Sequence, residues 1–151
     1  ECHRETTGRE ILEQMDHRFD ALITGSGTGG TLMGCHQAFL QGNCPAKIIQ
    51  VQPEESNSEH GIQGINDGKD FLLDPSIVDE VIYIKTQEAI EKAKAMAKSH
   101  GLLIGISSGA NILAAERWVK SNRPKMPVVT FICDRGERYM SLYAGTEFLT
   151  I

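Results

Sequence analysis

The residues best suited to chemistry lie in a glycine-rich segment that follows a short apolar run. The segment is Gly25-Ser26-Gly27-Thr28-Gly29-Gly30-Thr31, and it comes directly after Ala21-Leu22-Ile23-Thr24. Glycine lets the backbone approach a ligand closely, and the N–H groups that open a following helix favour an anion. The hydroxyls of Thr28 and Thr31 add two possible donors. We therefore expect a phosphate group to bind here.

Two other interpretations of this segment stay open. Its glycines also fit the pattern G-x-G-x-x-G, which after a strand is typical of a dinucleotide-binding turn. That motif requires an acidic residue at the end of the next strand, and Glu54 is available there only beyond Pro53. The segment could also be a glycine-rich connection that binds nothing. Phosphate binding is therefore the stronger prediction, and NAD binding is the weaker one.

A second candidate is the serine pair in Ser107-Ser108-Gly109-Ala110, which lies between an apolar run and a helical stretch. A serine at such a junction usually caps the helix. Its hydroxyl can instead point toward a ligand heteroatom, because ligands of α/β proteins bind at the carboxyl ends of the strands. The sequence leaves both roles open.

The third candidate segment, residues 133–139, again follows a predicted strand. A charged turn on the surface explains it as well as a binding site does. Cys133 is a conceivable nucleophile, but no histidine neighbours it in the sequence, and buried structural cysteines are commoner. The five histidines stand apart from one another, and neither H-E-x-x-H nor a P-loop lysine occurs. We expect no metal site.

The composition is that of an ordinary globular domain. The 151 residues carry a formal charge of −5, with 40% hydrophobic and 23% charged residues, which fits one folded domain rather than a disordered chain. No basic cluster is present to neutralise nucleic-acid phosphates, and no run of about 18 apolar residues suggests a membrane span. The four cysteines form no Cys-x-x-Cys pair, so we expect reduced thiols in a cytoplasmic protein.

Short apolar runs alternate with helical patterns along the chain. Helices are predicted at 8–15, 31–40, 87–100 and 110–120, and strands at 21–24, 47–51, 81–84 and 128–132. Strands rich in Val and Ile between such helices indicate an α/β fold with a parallel sheet covered on both faces. Thr86 is expected to cap the third helix, and Glu88 and Lys92 to pair within it. A polar loop over 53–75 is long enough to be functional or disordered.

The order of these motifs resembles that of the cysteine synthases, pyridoxal-phosphate enzymes of the tryptophan-synthase-like β-family. The matching motifs are Thr6-Thr7-Gly8, Gly27-Thr28-Gly29-Gly30-Thr31, His60-Gly61-Ile62-Gln63-Gly64-Ile65, Gly105-Ile106-Ser107-Ser108-Gly109-Ala110 and Gly136-Glu137-Arg138-Tyr139. Gln52-Pro53-Glu54-Glu55 and Cys133-Asp134-Arg135-Gly136 are more similar to the B-type branch than to the A-type. The resemblance covers nearly the whole chain and implies a three-layer, parallel-sheet α/β domain of the tryptophan-synthase-β-like fold.

The resemblance implies roles for three groups of residues around pyridoxal 5′-phosphate. The cofactor's phosphate would lie against Gly27, Thr28, Gly29, Gly30 and Thr31. The hydroxyl of Ser107 would hydrogen-bond the pyridine nitrogen, and this neutral partner would give a mild electron sink suited to α-proton removal and β-elimination. The substrate side of the cofactor would be lined by Gln63, Gly64 and Ile65.

The implied reaction makes cysteine from an activated serine, O-acetylserine or O-phosphoserine, and sulfide or a related sulfur donor. The family's Schiff-base lysine and substrate-carboxylate loop lie in N-terminal motifs of the Ser-x-Lys-Asp-Arg and Thr-Ser-Gly-Asn-Thr types. Neither motif occurs here, and none of the eight lysines has the required context. We expect residues 1–151 to be the C-terminal, cofactor-phosphate part of such an enzyme, inactive without the missing N-terminal half. The complete enzyme would be a homodimer.

Two departures from the family pattern leave the substrate open. Arg9 follows Thr6-Thr7-Gly8 where the family usually has proline, and Asn66-Asp67-Gly68-Lys69 replaces a small, apolar continuation. Three alternatives therefore remain. They are another β-family enzyme (cystathionine β-synthase-like or diaminopropionate-synthase-like), a dinucleotide-binding domain, and a non-catalytic lobe that binds a partner.

Overall fold

The computed structural model describes residues 1–56, 61–66 and 72–143. Its helices and strands are α1 Cys2–Glu5, α2 Thr7–Gln14, β1 Ala21–Gly25, α3 Gly30–Gln41, β2 Lys47–Pro53, β3 Glu80–Ile84, α4 Thr86–His100, α5 Ile106–Asn122, β4 Val128–Thr130 and α6 Met140–Tyr143. Short 3-10 helices cover Pro75–Ile77 and Gly136–Tyr139. His60, Asp67, Gly68 and Lys69, which belong to the sequence motifs above, lie outside the described residues.

The strands of the described residues form one parallel sheet in the order β3-β2-β1-β4. At the centre, Ile23 of β1 lies between Ile49 of β2 and Thr130 of β4. The chain builds β2 and β3 on one side of β1 and then returns to add β4 on the other side. This change of direction opens a crevice at the carboxyl ends of β1 and β4, which is where ligands of such sheets bind.

Each face of the sheet buries its own apolar cluster. Leu22 and Ile48 pack with α2 and α3, where Phe39 makes an edge-to-face contact with Phe19 at 5.1 Å between ring centroids. Ile23 and its neighbours on the opposite face pack with α4 and α5. Helices therefore cover both faces, and this three-layer arrangement confirms the predicted α/β fold class.

Helix α5 begins four residues earlier than predicted, at Ile106 rather than Ala110. Its first turn therefore contains Ser107 and Ser108, and Gly105 is the N-cap residue. Strand β4 ends at Thr130, two residues before its predicted end. These shifts bring the serines close to the sheet edge.

Helix α4 differs from its prediction at its start and along its exposed face. Its N-cap residue is Lys85, and the hydroxyl of Thr86 instead accepts a hydrogen bond from the backbone N–H of Gly61 at 3.0 Å. The two residues expected to pair within α4 bind α5 instead, because the two helices pack together. These pairs are Glu88 with Arg117 and Lys92 with Glu116. Across the described segments, no helix is long and apolar enough to cross a membrane.

Candidate functional site

The loop between β1 and α3 encloses a small cavity of about 60 Å³, lined by residues 25–32. Gly29 is the N-cap residue of α3, and in the described part of the chain no side chain caps this helix. The first N–H groups of an α-helix have no acceptor within the helix, so those at the start of α3 are available to a ligand. The dipole of this 12-residue helix adds partial positive charge at the same end. The cavity is therefore suited to an anion.

Close packing against neighbouring segments requires glycine at two positions of the loop. A Cβ atom added at Gly29 would lie 2.6 Å from the backbone nitrogen of Leu73, and Gly29 also has a φ of +81°. A Cβ atom added at Gly27 would lie 2.8 Å from the carbonyl oxygen of Gly64. At Gly30, by contrast, the nearest atom would be 3.7 Å away. Neighbouring segments thus pack closely against Gly27 and Gly29, whereas Gly30 has free space beside it.

The two threonines of the loop are held in different ways. Thr31 Oγ1 lies 3.3 Å from Nε2 of His3, whose Nδ1 lies 3.0 Å from Thr7 Oγ1. His3 therefore connects the Thr6-Thr7-Gly8 motif to the loop. The carbonyl oxygen of Thr28 accepts a hydrogen bond from the N–H of Leu72 at 2.9 Å. Every residue that lines the cavity is uncharged, so backbone and hydroxyl donors, rather than an ion pair, would hold an anion there.

The structure brings the segment 61–66 against this loop. The N–H of Asn66 donates to the carbonyl oxygen of Ser26 at 2.8 Å. Ile65 is buried, and its side chain fills the space that a Cβ atom at Gly25 would need. Gln63 and Gly64 are exposed. The residues predicted for the phosphate side and those predicted for the substrate side are therefore neighbours.

Ser107 lies in the first turn of α5, where its side chain is buried. Its hydroxyl does not cap the helix but hydrogen-bonds the thiol of Cys133. The hydroxyl of Ser108 accepts a hydrogen bond from the backbone N–H of Cys133 at 2.9 Å. Both serines thus contact the chain just after β4, and the helix-cap interpretation of Ser107 is wrong.

The thiol of Cys133 is not activated as a nucleophile. The residue is exposed, but partial burial of its sulfur, the largest cause, raises the pKa of the thiol. The negative charge of Asp134 raises this pKa further, while hydrogen bonds with Ser107 and Asn111 lower it. Because the thiolate is the reactive form, the protonated thiol favours a structural role.

Sequence reasoning missed Asn111, a fully buried amide one turn after Ser107. Its side chain hydrogen-bonds Gly25 at the end of β1 and Phe131 just after β4. A buried amide is unfavourable unless it is hydrogen-bonded. An asparagine among the small and apolar residues of a helix therefore indicates a buried, hydrogen-bonded side chain, and the sequence contained this signal.

Sequence reasoning also missed the contacts that Asp134 makes with Tyr139 and with the start of α5. Its Oδ2 accepts a hydrogen bond from the hydroxyl of Tyr139 at 2.8 Å, and its carbonyl oxygen accepts one from the N–H of Gly105 at 3.0 Å. Its Oδ1 is buried and has no hydrogen-bond partner among the described residues. A Cβ atom at Gly105 would overlap this oxygen, so glycine is required where α5 begins.

Two kinds of charged group are not found at the cavity in the residues that the structure describes. Glu54, the acidic residue that a dinucleotide would need, pairs with Lys85 at 3.6 Å. No lysine lines the cavity in the described ranges. The site therefore offers anion binding and neutral hydroxyl groups but no amine.

Comparison with known proteins connects these features to one family. The family model described as "Pyridoxal-phosphate dependent enzyme" matches residues 1–134. Cysteine synthase B of Campylobacter jejuni is 38% identical over 150 residues, which cover 93% of this chain and 49% of the relative. The chain thus spans about half the length of the curated relatives it matches. This similarity confirms the predicted resemblance to B-type cysteine synthases.

Solved structures agree with this match. The crystal structure of O-ureido-L-serine synthase aligns with a TM-score of 0.83 and 31% identity, covering 96% of this chain and 49% of that one. O-Acetyl Serine Sulfhydrylase isoform 3 from Entamoeba histolytica aligns with a TM-score of 0.79 and 34% identity, covering 93% of this chain and 45% of that one. Both likenesses extend over almost all of the chain.

Proposed function

Because the chain belongs to the family of pyridoxal-phosphate dependent enzymes, we propose that it is part of a cysteine synthase. The complete protein makes L-cysteine from an activated serine and sulfide or a related sulfur donor. The observation that carries this proposal is the cavity at the start of α3, whose uncharged lining is suited to an anion. The residues that form it follow the family's motif. A relative named cysteine synthase B and a neighbour named O-acetyl serine sulfhydrylase support the substrate class.

The residues present fit the cofactor. Backbone N–H groups and hydroxyls for its phosphate are supplied by Gly27, Thr28, Gly29, Gly30 and Thr31. With a volume of about 60 Å³, the cavity would hold the phosphate group of the cofactor but not its ring. When bound, the cofactor's ring supplies the electron sink that β-replacement requires. Ser107, which contacts Cys133 just after β4, is the partner we assign to the ring nitrogen.

Ser107 acts as a neutral partner at that nitrogen. A hydroxyl can donate or accept a proton in a hydrogen bond without carrying charge, so it does not force the ring nitrogen to be protonated as a carboxylate would. The exposed Gln63 and Gly64 lie on the side from which substrate enters. Their packing against the loop, through Gly27, links substrate binding to the phosphate side.

A lysine for covalent attachment and proton transfer comes from outside residues 1–151 in this proposal. The family's Schiff-base lysine motif does not occur in the sequence, and none of the eight lysines has its context, which supports this assignment. The 151-residue chain alone is then inactive, because it holds the phosphate but lacks the general base.

Five of the exposed apolar residues lie in two segments that we expect the complete protein to cover. Leu102 and Leu103 precede α5, and Ile132, Met140 and Leu142 follow β4; each is at least 39% exposed. We assign these segments to contact with the missing N-terminal half, and we propose a homodimer for the complete enzyme. The four cysteines are free, which supports a cytoplasmic location.

The proposal is tested with the full-length protein, O-acetylserine, sulfide and pyridoxal phosphate, and with O-phosphoserine in a parallel assay. Cysteine is measured by its acid-ninhydrin product. We expect cysteine to form only when cofactor, activated serine and sulfide are all present, and none to form with residues 1–151 alone. An activity that depends on NAD, or a full-length protein that never binds the cofactor, would contradict the proposal.

A further inference from the structure

Asn111 is a fully buried amide whose polar atoms are all engaged. Its Oδ1 accepts a hydrogen bond from the backbone N–H of Gly25 at 2.8 Å. Its Nδ2 has three acceptors within hydrogen-bond distance, which share its two N–H groups: the carbonyl oxygen of Phe131 at 3.1 Å, Thr24 Oγ1 at 3.3 Å and Cys133 Sγ at 3.5 Å. One side chain of α5 therefore holds two separate stretches of chain.

These partners mark the place where β1 and β4 separate. The two strands pair as far as Ile23 and Thr130, and Thr130 Oγ1 donates to the carbonyl oxygen of Ile23 at 2.6 Å. Beyond this pair, Asn111 hydrogen-bonds Gly25 at the end of β1 and Phe131 just after β4. It therefore connects the two edges of the crevice at the carboxyl ends, where ligands of such sheets bind.

The two groups assigned to the cofactor adjoin different edges of this crevice, because the loop follows β1 and Ser107 contacts Cys133 just after β4. The glycine-rich loop begins at Gly25, which Asn111 binds directly. Ser107 lies four residues before Asn111 in α5, and such residues share one face of a helix. A displacement of Asn111 would therefore change the separation between the loop and Ser107.

We propose that Asn111 is a positioning residue that fixes this separation. Its bonds allow one ligand to reach the loop with its phosphate and Ser107 with its ring nitrogen at the same time. The inference rests on the proposed function, because it needs a ligand that carries both groups. It adds to that function a side chain that touches neither the phosphate nor the ring.

The test uses the full-length apoprotein and two ligands that form no covalent bond with it. Inorganic phosphate engages only the loop, whereas pyridoxine 5′-phosphate carries both a phosphate and a pyridine nitrogen. Dissociation constants are measured by titration, with phosphorus NMR for the first ligand and fluorescence for the second. The proteins are the wild type, Ser107→Ala, Asn111→Leu and the double variant.

A positioning role predicts coupling between the two substitutions. We expect Ser107→Ala to weaken pyridoxine 5′-phosphate binding about fivefold in the wild type. In the Asn111→Leu background the same change should weaken binding less than about twofold, because Ser107 is no longer held in place. Affinity for inorganic phosphate should change less than about twofold when Ser107 is replaced in either background, since that ligand does not reach Ser107.

Thr130→Val is the matched control, because it removes a hydrogen bond between β1 and β4 in which α5 takes no part. It should lower the Tm and keep the fivefold effect of Ser107→Ala. If Asn111→Leu does not fold, Asn111→Asp replaces it in the same cycle. The aspartate can still accept from Gly25 but cannot donate to Phe131, so the effect of Ser107→Ala should be smaller than in the wild type.

The outcomes separate the inference from the function on which it rests. Equal effects of Ser107→Ala in the wild-type and Asn111-substituted backgrounds would overturn the positioning role and leave the proposed function intact. A wild-type apoprotein that does not bind pyridoxine 5′-phosphate would contradict the proposed function itself, and the inference would fall with it.

Discussion

Gly27 and Gly64 approach each other so closely that a Cβ atom on Gly27 would lie 2.8 Å from the carbonyl oxygen of Gly64. The neighbouring hydrogen bond from Asn66 to Ser26 holds the same two segments together. The loop assigned to the phosphate and the segment assigned to the substrate are thus joined through their backbones. A substitution in one of these segments should therefore also affect the other segment.

Replacing Gly27 by alanine should disturb this contact. The added methyl group would meet backbone, which cannot rotate away, so we expect Gly27→Ala to lower the free energy of unfolding by about 1–3 kcal/mol and to weaken cofactor binding. Gly30→Ala is the matched control, because its Cβ atom would meet nothing closer than 3.7 Å. Thermal unfolding of the full-length apoproteins checks the prediction. Equal stability of the two variants would show that the segments separate easily.

Removing the hydroxyls of the loop should weaken phosphate binding without unfolding the protein. We expect Thr28→Val and Thr31→Val together to raise the dissociation constant of pyridoxal phosphate roughly tenfold or more, as expected for lost hydrogen bonds to a charged group. Thr31 also contacts His3, so His3→Gln, which removes the imidazole but keeps a polar side chain, serves as the control. Cofactor titration of each apoprotein gives the constants. Unchanged affinity in the double variant would count against the phosphate assignment.

Ser107→Ala should slow elimination while the cofactor stays bound through its covalent attachment. The hydroxyl is assigned to the ring nitrogen, so its loss should lower kcat more than it changes KM for the activated serine. Ser108→Ala is the neighbouring control, because Ser108 holds the backbone of Cys133. Steady-state kinetics of both full-length variants separate the roles. If the two lose activity equally, Ser107 is only a structural residue.

The order of strands and helices was predictable because apolar runs and helical periodicity are local signals. The start of α5 was not, since Gly105, Ser107, Ser108 and Gly109 are weak helix formers. In the structure this turn is stabilised by contacts from outside the helix, such as the bond between Ser108 and Cys133. Those contacts join residues 25 positions apart, and no periodicity reveals them.

In the candidate site too, local features were predictable from the sequence and contacts between distant residues were not. The glycine-rich loop could be predicted, because a glycine indicates that the backbone at its own position has a positive φ or packs closely against another group. The apolar surroundings of Asn111 in the sequence indicate burial, but its partner could not be predicted, because Gly25 lies 86 residues away in the sequence. The ion pairs of Glu88 and Lys92 were misassigned for a related reason. Their nearest opposite charges come from α5, and only the packing of the two helices places them there.

Alkylation should distinguish three of the four thiols of this chain. Burial raises the pKa of Cys35 to about 11, and burial with the charge of Asp134 raises that of Cys133. At pH 7.5 we expect iodoacetamide to modify exposed Cys2 first, Cys133 slowly and Cys35 only after unfolding. Peptide mass spectrometry of the native protein follows each rate. Asp134→Asn should accelerate the reaction of Cys133, and an equal rate in both proteins would remove Asp134 as a cause.

Stability at high pH should depend on Tyr143. Its hydroxyl donates to the carbonyl oxygen of Ile104 at 2.7 Å. Burial, with smaller contributions from the charges of Asp134 and Tyr139, raises the pKa of Tyr143 to about 12. The folded state therefore favours the neutral phenol. Its contribution to the free energy of unfolding is complete below the unfolded pKa of about 10 and is lost as pH rises through about 12.

We therefore expect the free energy of unfolding of the wild type to fall more steeply between about pH 10 and 12 than that of Tyr143→Phe. Phenylalanine keeps the ring but has no proton to lose, so the difference between the two curves isolates this one group from the other residues that titrate in the range. Urea unfolding of the full-length protein at half-unit pH steps measures both curves. Parallel curves would mean that the folded state does not hold the Tyr143 proton.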